Sequence, residues 1–219
     1  ALGLASAGTR AALAARGADK RPRFLGSEYA NWITERVLLG RYPYLEPSRM
    51  QDPEQGRARL AEILRAGVDT FVSLIAELPP QWQHRGGIGG FEGYYAPAVQ
   101  LAKGDDPRHP VEPRKLNFLH FPINDLGTPN LSELEDIVSK LMTEWKSGRS
   151  LYIHCWGGRG RAGTVGASLL GRLNGLDADE ALERVQAAYE GRQQDNGMSP
   201  ETGGQRRLVR EFLSRAPRQ

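Results

Sequence analysis

One stretch constrains the fold more than any other: SLYIHCWGGRGRAGTVGASLL, from Ser150 to Leu170. A β-branched and aromatic run passes through glycines and arginines into small residues at helical spacing. A strand that enters a helix through a glycine-rich loop is the repeating unit of α/β folds, because each element must bury one face against a sheet. The stretch also satisfies two chemical spacings. Gly158, Gly160 and Gly163 fit GxGxxG, the dinucleotide-binding pattern, whereas Cys155 and Arg161 fit CxxxxxR, the pattern of a thiolate phosphate-transfer loop.

The flanking segments predict the architecture around it. RVLLG reads as a short strand, EQGRARLAEILRAG as a helix closed by a left-handed Gly67, and VDTFVSLI as a buried strand. Residues Glu77 to Pro113 are rich in Gly, Pro and Tyr and form a long insertion, either functional or loosely ordered. LNFLHFPI is a further strand, and the loop NDLGTPN follows it. NLSELEDIVSKLMTEW is a helix with Asn130 as its cap and Glu133 at the third position, where a capping box places it; Leu131, Leu134, Val138, Leu141 and Trp145 keep helical spacing. SLYIHC is a central strand, followed by a helix starting near Arg161 and two more over Ala178 to Tyr189 and Gly204 to Leu213. Strands alternating with helices predict an α/β fold, with a central, largely parallel sheet of about five strands and helices on both faces. With 219 residues and 39% hydrophobic content the chain supports one full core. The expected organisation is an N-terminal extension over residues 1–27 and one domain over 28–216.

The dinucleotide reading fails on its surroundings. It requires a second parallel strand after the helix, ending in an acid that binds a ribose. Here Asp177, Asp179, Glu180 and Glu183 open another helix, and no strand follows. The thiolate reading fits the same facts. A loop between a strand's C-terminal end and a helix N-terminus aims several N–H groups at one point and adds the positive end of the helix dipole, making an anion cradle. Gly157, Gly158, Gly160 and Gly163 permit the tight turn, and Arg161 returns across the loop with a planar fork suited to two phosphate oxygens. Such a cradle also favours a negatively charged sulfur at its mouth. Taken alone the spacing is weak, since Cys155 also reads as a small buried hydrophobe, His154 as a core histidine and Asp125 as a turn carboxylate.

Bulk properties exclude other classes. Basic and acidic residues number 29 and 26 and are interspersed, giving a net charge of only +3 and no basic stripe suited to nucleic acid. The four histidines show no metal-site spacing, so a mechanism without metal or cofactor is expected. A single cysteine forms no internal disulfide, which fits a reducing, intracellular compartment. No run of 18 apolar residues is present, so no transmembrane segment is expected. ALGLASAGTRAALAARG is alanine-rich with arginines and no acid, which fits the tail of a chloroplast or mitochondrial transit segment or a plain extension; without transit function the expected location is cytoplasmic.

At His154, Cys155, Gly158 and Arg161, IHCWGGRGRAG resembles the HCxxGxxR signature of the cysteine-dependent protein tyrosine phosphatase superfamily. Two further segments point to its dual-specificity branch and the cyclin-dependent-kinase-associated type. HFPINDLGTPN is similar to that type's acid loop, with Asp125 lying 30 residues before Cys155, and SPETGGQRRLVREF is similar to the glutamine loop, with Gln205 on the matching glutamine. The resemblance runs from Trp32 to Leu213. It implies that Cys155 attacks phosphorus and that Arg161 and the loop amides from Trp156 through Gly157, Gly158, Arg159 and Gly160 hold the phosphate oxygens. It further implies that Asp125 protonates the leaving oxygen, Gln205 positions the hydrolytic water, and His154 orders the loop. The implied activity is a protein tyrosine or dual-specificity phosphatase working through phosphocysteine, with a phosphorylated protein or a small phosphate ester as its partner.

Two departures from the pattern leave alternatives open. Ala162 stands where the family has a serine or threonine hydroxyl that assists the second step, unless Thr164 or a water substitutes, and Glu201 replaces the first glutamine. A phosphate-binding module with little turnover therefore stays in view. Arg159 adds a charge that suits a phosphoinositide or other non-protein phosphate ester, unless it faces away into solvent. Trp156 is expected to pack on the neighbouring helix rather than wall the pocket, and Tyr94 and Tyr95 are candidates to flank a phosphotyrosine ring.

Overall fold

The computed structural model describes residues 28–192 and 196–215. The expected extension over residues 1–27 and the final residue of the expected domain, 216, lie outside the described residues. In chain order the elements are β1 (Ala30–Thr34), β2 (Val37–Gly40), α1 (Pro53–Arg65), β3 (Thr70–Ile75), β4 (Gly87–Ile88), β5 (Phe91–Glu92), α2 (Tyr95–Leu101), β6 (Asn117–Ile123), α3 (Leu131–Lys146), β7 (Leu151–His154), α4 (Gly160–Asn174), α5 (Ala178–Glu190) and α6 (Gly203–Leu213).

Five strands form one sheet in the order β1-β2-β7-β3-β6. β2, β7, β3 and β6 run parallel, and β1 pairs antiparallel with β2 at the edge. The mostly parallel, helix-flanked sheet is the expected architecture. β1 carries no strand signal strong enough to read from sequence: ANWIT alternates only partly, and its partner β2 follows through a tight turn at Glu35 and Arg36. β7 lies in the middle of the sheet with all four residues buried, so the loop it feeds opens at the centre of the sheet's C-terminal edge. That edge is where open α/β sheets place their ligands.

The register sorts the two faces. Leu38, Tyr152, Phe71 and Phe118 lie in one row across the ladder, and residues two further on, Gly40, His154, Ser73 and His120, continue the same face. Tyr94 and Tyr95 cover this aromatic face, with Tyr95 and Phe118 ring centroids 4.7 Å apart and Phe71 and Tyr94 5.4 Å apart. The opposite face, which includes Leu39, takes α4. Gly166 lies so close to Leu39 that an added Cβ would come within 2.5 Å of its Cδ1. The small residues of α4 therefore have a packing reason: they let the helix sink against the sheet, where it is buried continuously from Gly160 to Gly171. α3, α5 and α6 pack around α4.

Capping follows the sequence. Asn130 and Glu133 close the capping box of α3, Asp177 and Glu180 that of α5, and Asp52 accepts from Glu54 and Gln55 at the start of α1. Gly67 sits just past α1 at φ 97°, a left-handed conformation that favours glycine. The long insertion is ordered rather than loose. It folds as the β4–β5 hairpin and α2, and its Tyr94 is fully buried.

Candidate active site

The centre of the site is the turn from β7 into α4. Gly158 adopts φ 67°, and its Cα lies against the Gly40 backbone, where an added Cβ would be 2.3 Å from both the carbonyl carbon and oxygen. The turn is therefore wound as tightly as a side-chain-free residue allows. Among the described residues, no backbone N–H from Trp156 to Arg161 donates to another group of the chain. α4 also begins without a capping side chain and without an acid in its first turn, although α1, α3, α5 and α6 all start on a capping residue. Free amides and an uncapped positive helix end converge on one point, which describes an anion site. Cys155, 3% exposed, lies at the bottom of a cleft of about 600 Å³ lined also by Asp125, Trp156, Gly157, Gly160 and Arg161.

Arg161 is buried and doubly engaged. Its Nη2 meets Asp125 Oδ1 at 2.9 Å, and its Nη1 donates to Glu77 Oε2 at 2.7 Å and to the Ile123 carbonyl at 3.0 Å. Glu77 in turn accepts from the Asp125 backbone N–H at 2.9 Å. Burial disfavours the Glu77 anion, but the hydrogen bonds and charge of Arg161 and the Asp125 amide outweigh it and hold the carboxyl below its ordinary range. Sequence reading did not single out Glu77. The residue lies in the turn two residues past β3, far from the motif in the chain, and the β3–β7 pairing brings that turn beside Arg161.

His154 is fully buried, and burial lowers its pKa to about 3, so it is neutral. Its Nδ1 faces the Cys155 carbonyl at 3.2 Å, and since a carbonyl only accepts, the proton sits on Nδ1. Nε2 then accepts from the Tyr94 hydroxyl at 2.7 Å. The insertion thus reaches under the loop and fixes the tautomer of the residue before the cysteine. Tyr94→Phe leaves the buried Nε2 without a donor and is expected to lower stability by about 1–3 kcal/mol in urea unfolding. A loss below roughly 0.5 kcal/mol would show that the bond carries no structural load.

Several expected placements are corrected. Trp156 does not pack on the neighbouring helix. It lines the cleft, its Nε1 donating to Glu46 Oε2 at 2.9 Å and its ring meeting the edge of Phe91 at 5.4 Å. Tyr94 and Tyr95 lie on the sheet and are not cleft walls, because the insertion folds inward. Gln205 does not face the cleft either. Its Oε1 accepts from the amides of Glu201 and Thr202, and its Nε2 donates to the Gly127 carbonyl at 3.1 Å, so the side chain ties the α6 start to the Asp125 loop. Glu201 faces the cleft instead and pairs with Arg159 at 3.2 Å. Arg159, whose Nε donates to the Met198 carbonyl, is thereby neutralised rather than free in solvent. Thr164 does not make up for the hydroxyl missing at Ala162, because its Oγ1 donates to the Gly160 carbonyl at 2.9 Å within α4. Among the described residues no three His, Cys, Asp or Glu side chains converge as a metal's donor set, and no helix is long and apolar enough to cross a membrane.

Residues 99–203 match the family model described as the Swiss Army Knife DSP-PTPase phosphatase domain, a span that includes Asp125, the cradle and Glu201. Over this span, just under half of the chain, the protein is similar to the DSP-PTPase phosphatases. An uncharacterised protein of Methanocaldococcus jannaschii is 33% identical over 47% of this chain and 64% of its own length. Human cyclin-dependent kinase inhibitor 3 is 45% identical over 30% of this chain and 32% of its own. The matched segments thus span less than two thirds of these curated relatives. Among solved structures, Tk-PTP in its active form superposes with a TM-score of 0.59 at 24% identity, covering 86% of this chain and 98% of that one, a likeness of fold. That similarity agrees with the geometry of the cradle, a cysteine beside a loop of free amides.

Proposed function

We propose that the protein hydrolyses phosphomonoesters through a phosphocysteine intermediate and that its substrates include phosphotyrosine, and phosphoserine or phosphothreonine, in proteins. One observation carries the reading. Cys155 shares a cleft with five residues whose backbone amides are unengaged, Trp156, Gly157, Arg159, Gly160 and Arg161, and with the Asp125 carboxylate. In this reading Cys155 attacks phosphorus in line, while Arg161 and the amides bind the equatorial oxygens as charge builds on them. The incoming phosphate displaces the Asp125 carboxylate from Arg161, and the freed group takes up a proton from solvent and delivers it to the leaving oxygen. In the second step it takes the proton of the attacking water. Glu77 keeps its hold on Nη1 throughout, so the guanidinium stays aimed at the cradle.

The test is vanadate-sensitive hydrolysis of an aryl phosphate, followed by parallel assays on phosphotyrosine peptides, phosphoserine and phosphothreonine peptides, and phosphoinositides. Asp125→Ala is expected to reduce kcat about 100-fold for alkyl phosphates and less than tenfold for nitrophenyl phosphate, whose leaving group needs little protonation. Equal factors for both would remove Asp125 from the acid role. A second reading has its own support: Ala162 lacks a hydroxyl and that of Thr164 is turned to Gly160, so neither position supplies a hydroxyl to the departing sulfur. Phosphate binding without turnover in the native protein would establish that module reading.

A further inference from the structure

The cleft is far larger than a phosphate, and its polar lining extends past the cradle to residues 48 and 49. Three arginines border it. Arg161 is held by Glu77 and Asp125, and Arg159 by Glu201 and the Met198 carbonyl. Arg49 is exposed, and among the described residues its guanidinium has no carboxylate partner. The free positive charge of this cleft therefore belongs to Arg49, not to Arg159, where the sequence pattern placed it.

The backbone that carries Arg49 is built, not loose. Glu46 N–H donates to the Met50 carbonyl at 2.8 Å, closing a short turn. The Glu46 carboxylate, with the residue only 2% exposed, accepts from Ser48 N–H at 3.0 Å and from Ser48 Oγ at 2.7 Å. The same carboxylate takes the Trp156 Nε1 bond, which joins the turn to the phosphate loop itself. A single buried acid thus fixes the base of Arg49 relative to the cradle and leaves its fork unoccupied.

We propose that the cleft selects small phosphomonoesters carrying a second anionic group, with Arg49 binding that group while the cradle holds the reacting phosphate. A guanidinium fork suits a second phosphate best, because it offers two parallel N–H bonds to a dianion. The inference rests on the phosphatase reading only for its cradle, and its test is arranged to be independent of turnover. With the Cys155→Ser protein, calorimetry compares inositol monophosphate with inositol bisphosphate. The bisphosphate is expected to bind about tenfold more tightly, a factor that shrinks to under about threefold when Arg49→Ala is added and at high salt. An equal preference with and without Arg49, or no preference in the parent, overturns the proposal. Phosphatidylcholine vesicles doped with a phosphatidylinositol bisphosphate separate a lipid headgroup from a free ligand; binding of either one through Arg49 supports it. If acidic phosphotyrosine peptides gain from Arg49 and bisphosphates do not, the small-ligand class is wrong. Arg49 is exposed, so a thermal melt matching the parent excludes a folding artefact. Absence of hydrolysis by the native protein would sink the hydrolase reading without touching this measurement.

Discussion

Cys155→Ser is expected to lower turnover of an aryl phosphate by at least about a thousandfold, while phosphate and vanadate still bind the cradle. The size of the effect follows from what surrounds the sulfur. A thiolate attacks without help, but a serine hydroxyl needs a base to take its proton, and the site offers none. His154 is the adjacent candidate, yet its Nδ1 carries a proton directed to the Cys155 carbonyl and its Nε2 is occupied by Tyr94. Glu201 is paired with Arg159, and Asp125, once phosphate has displaced it from Arg161, serves the leaving oxygen rather than the nucleophile. The measurement is steady-state hydrolysis with phosphate binding followed in parallel, so a lost cradle is distinguishable from a lost nucleophile. Retention of more than about a tenth of the native rate would exclude Cys155 as the nucleophile.

Gly158→Ala is expected to have the largest effect of any single methyl group added to the site. The residue sits at φ 67°, which costs a non-glycine residue about 1–2 kcal/mol, and its new Cβ would enter the Gly40 backbone. Overpacking against a backbone that cannot rotate aside adds about 1–3 kcal/mol, so a total of roughly 2–5 kcal/mol is expected in urea unfolding. Whatever part is relieved by movement of the loop shifts the amides away from the phosphate, and kcat/KM falls with it. Gly157→Ala is the control: nothing lies within 4 Å of its added Cβ, and its φ is not positive. Similar losses in the two variants would show that the close approach to Gly40 does not shape the cradle.

How far the sequence was legible follows the range of the interactions. The strands, the capped helices and the cradle were readable because each is encoded within about a dozen neighbouring residues: the 3.6 and 2.0 periodicities, the Asn130 and Glu133 pair, the glycines around Cys155. Asp125 by itself reads as a turn carboxylate, and its role follows only from the resemblance of HFPINDLGTPN to an acid loop. What was not legible depends on sheet order. Glu77 reaches Arg161, Tyr94 reaches His154 and Glu46 reaches Trp156 only because β2, β3 and β7 are neighbours, which nothing local to those residues specifies. The glutamine loop shows the opposite limit. The motif was found, but its two polar positions exchanged places, since the capping box of Thr202 and Gln205 turns the glutamine inward and leaves Glu201 at the cleft. A spacing does not say which side of a helix start faces the ligand.

In the proposed reaction the Asp125–Arg161 contact bears on every turn of the cycle. At rest the guanidinium already holds a carboxylate of its own chain at 2.9 Å, an internal surrogate for the anion it is shaped to receive. Every phosphate that binds must evict this resident, and every phosphate that leaves is helped out by its return. Apparent affinity for free phosphate is therefore the intrinsic affinity of the cradle reduced by the share of molecules in which the surrogate is in place. Such a site keeps itself clear in a phosphate-rich medium and gives the advantage to ligands that bring a second point of attachment.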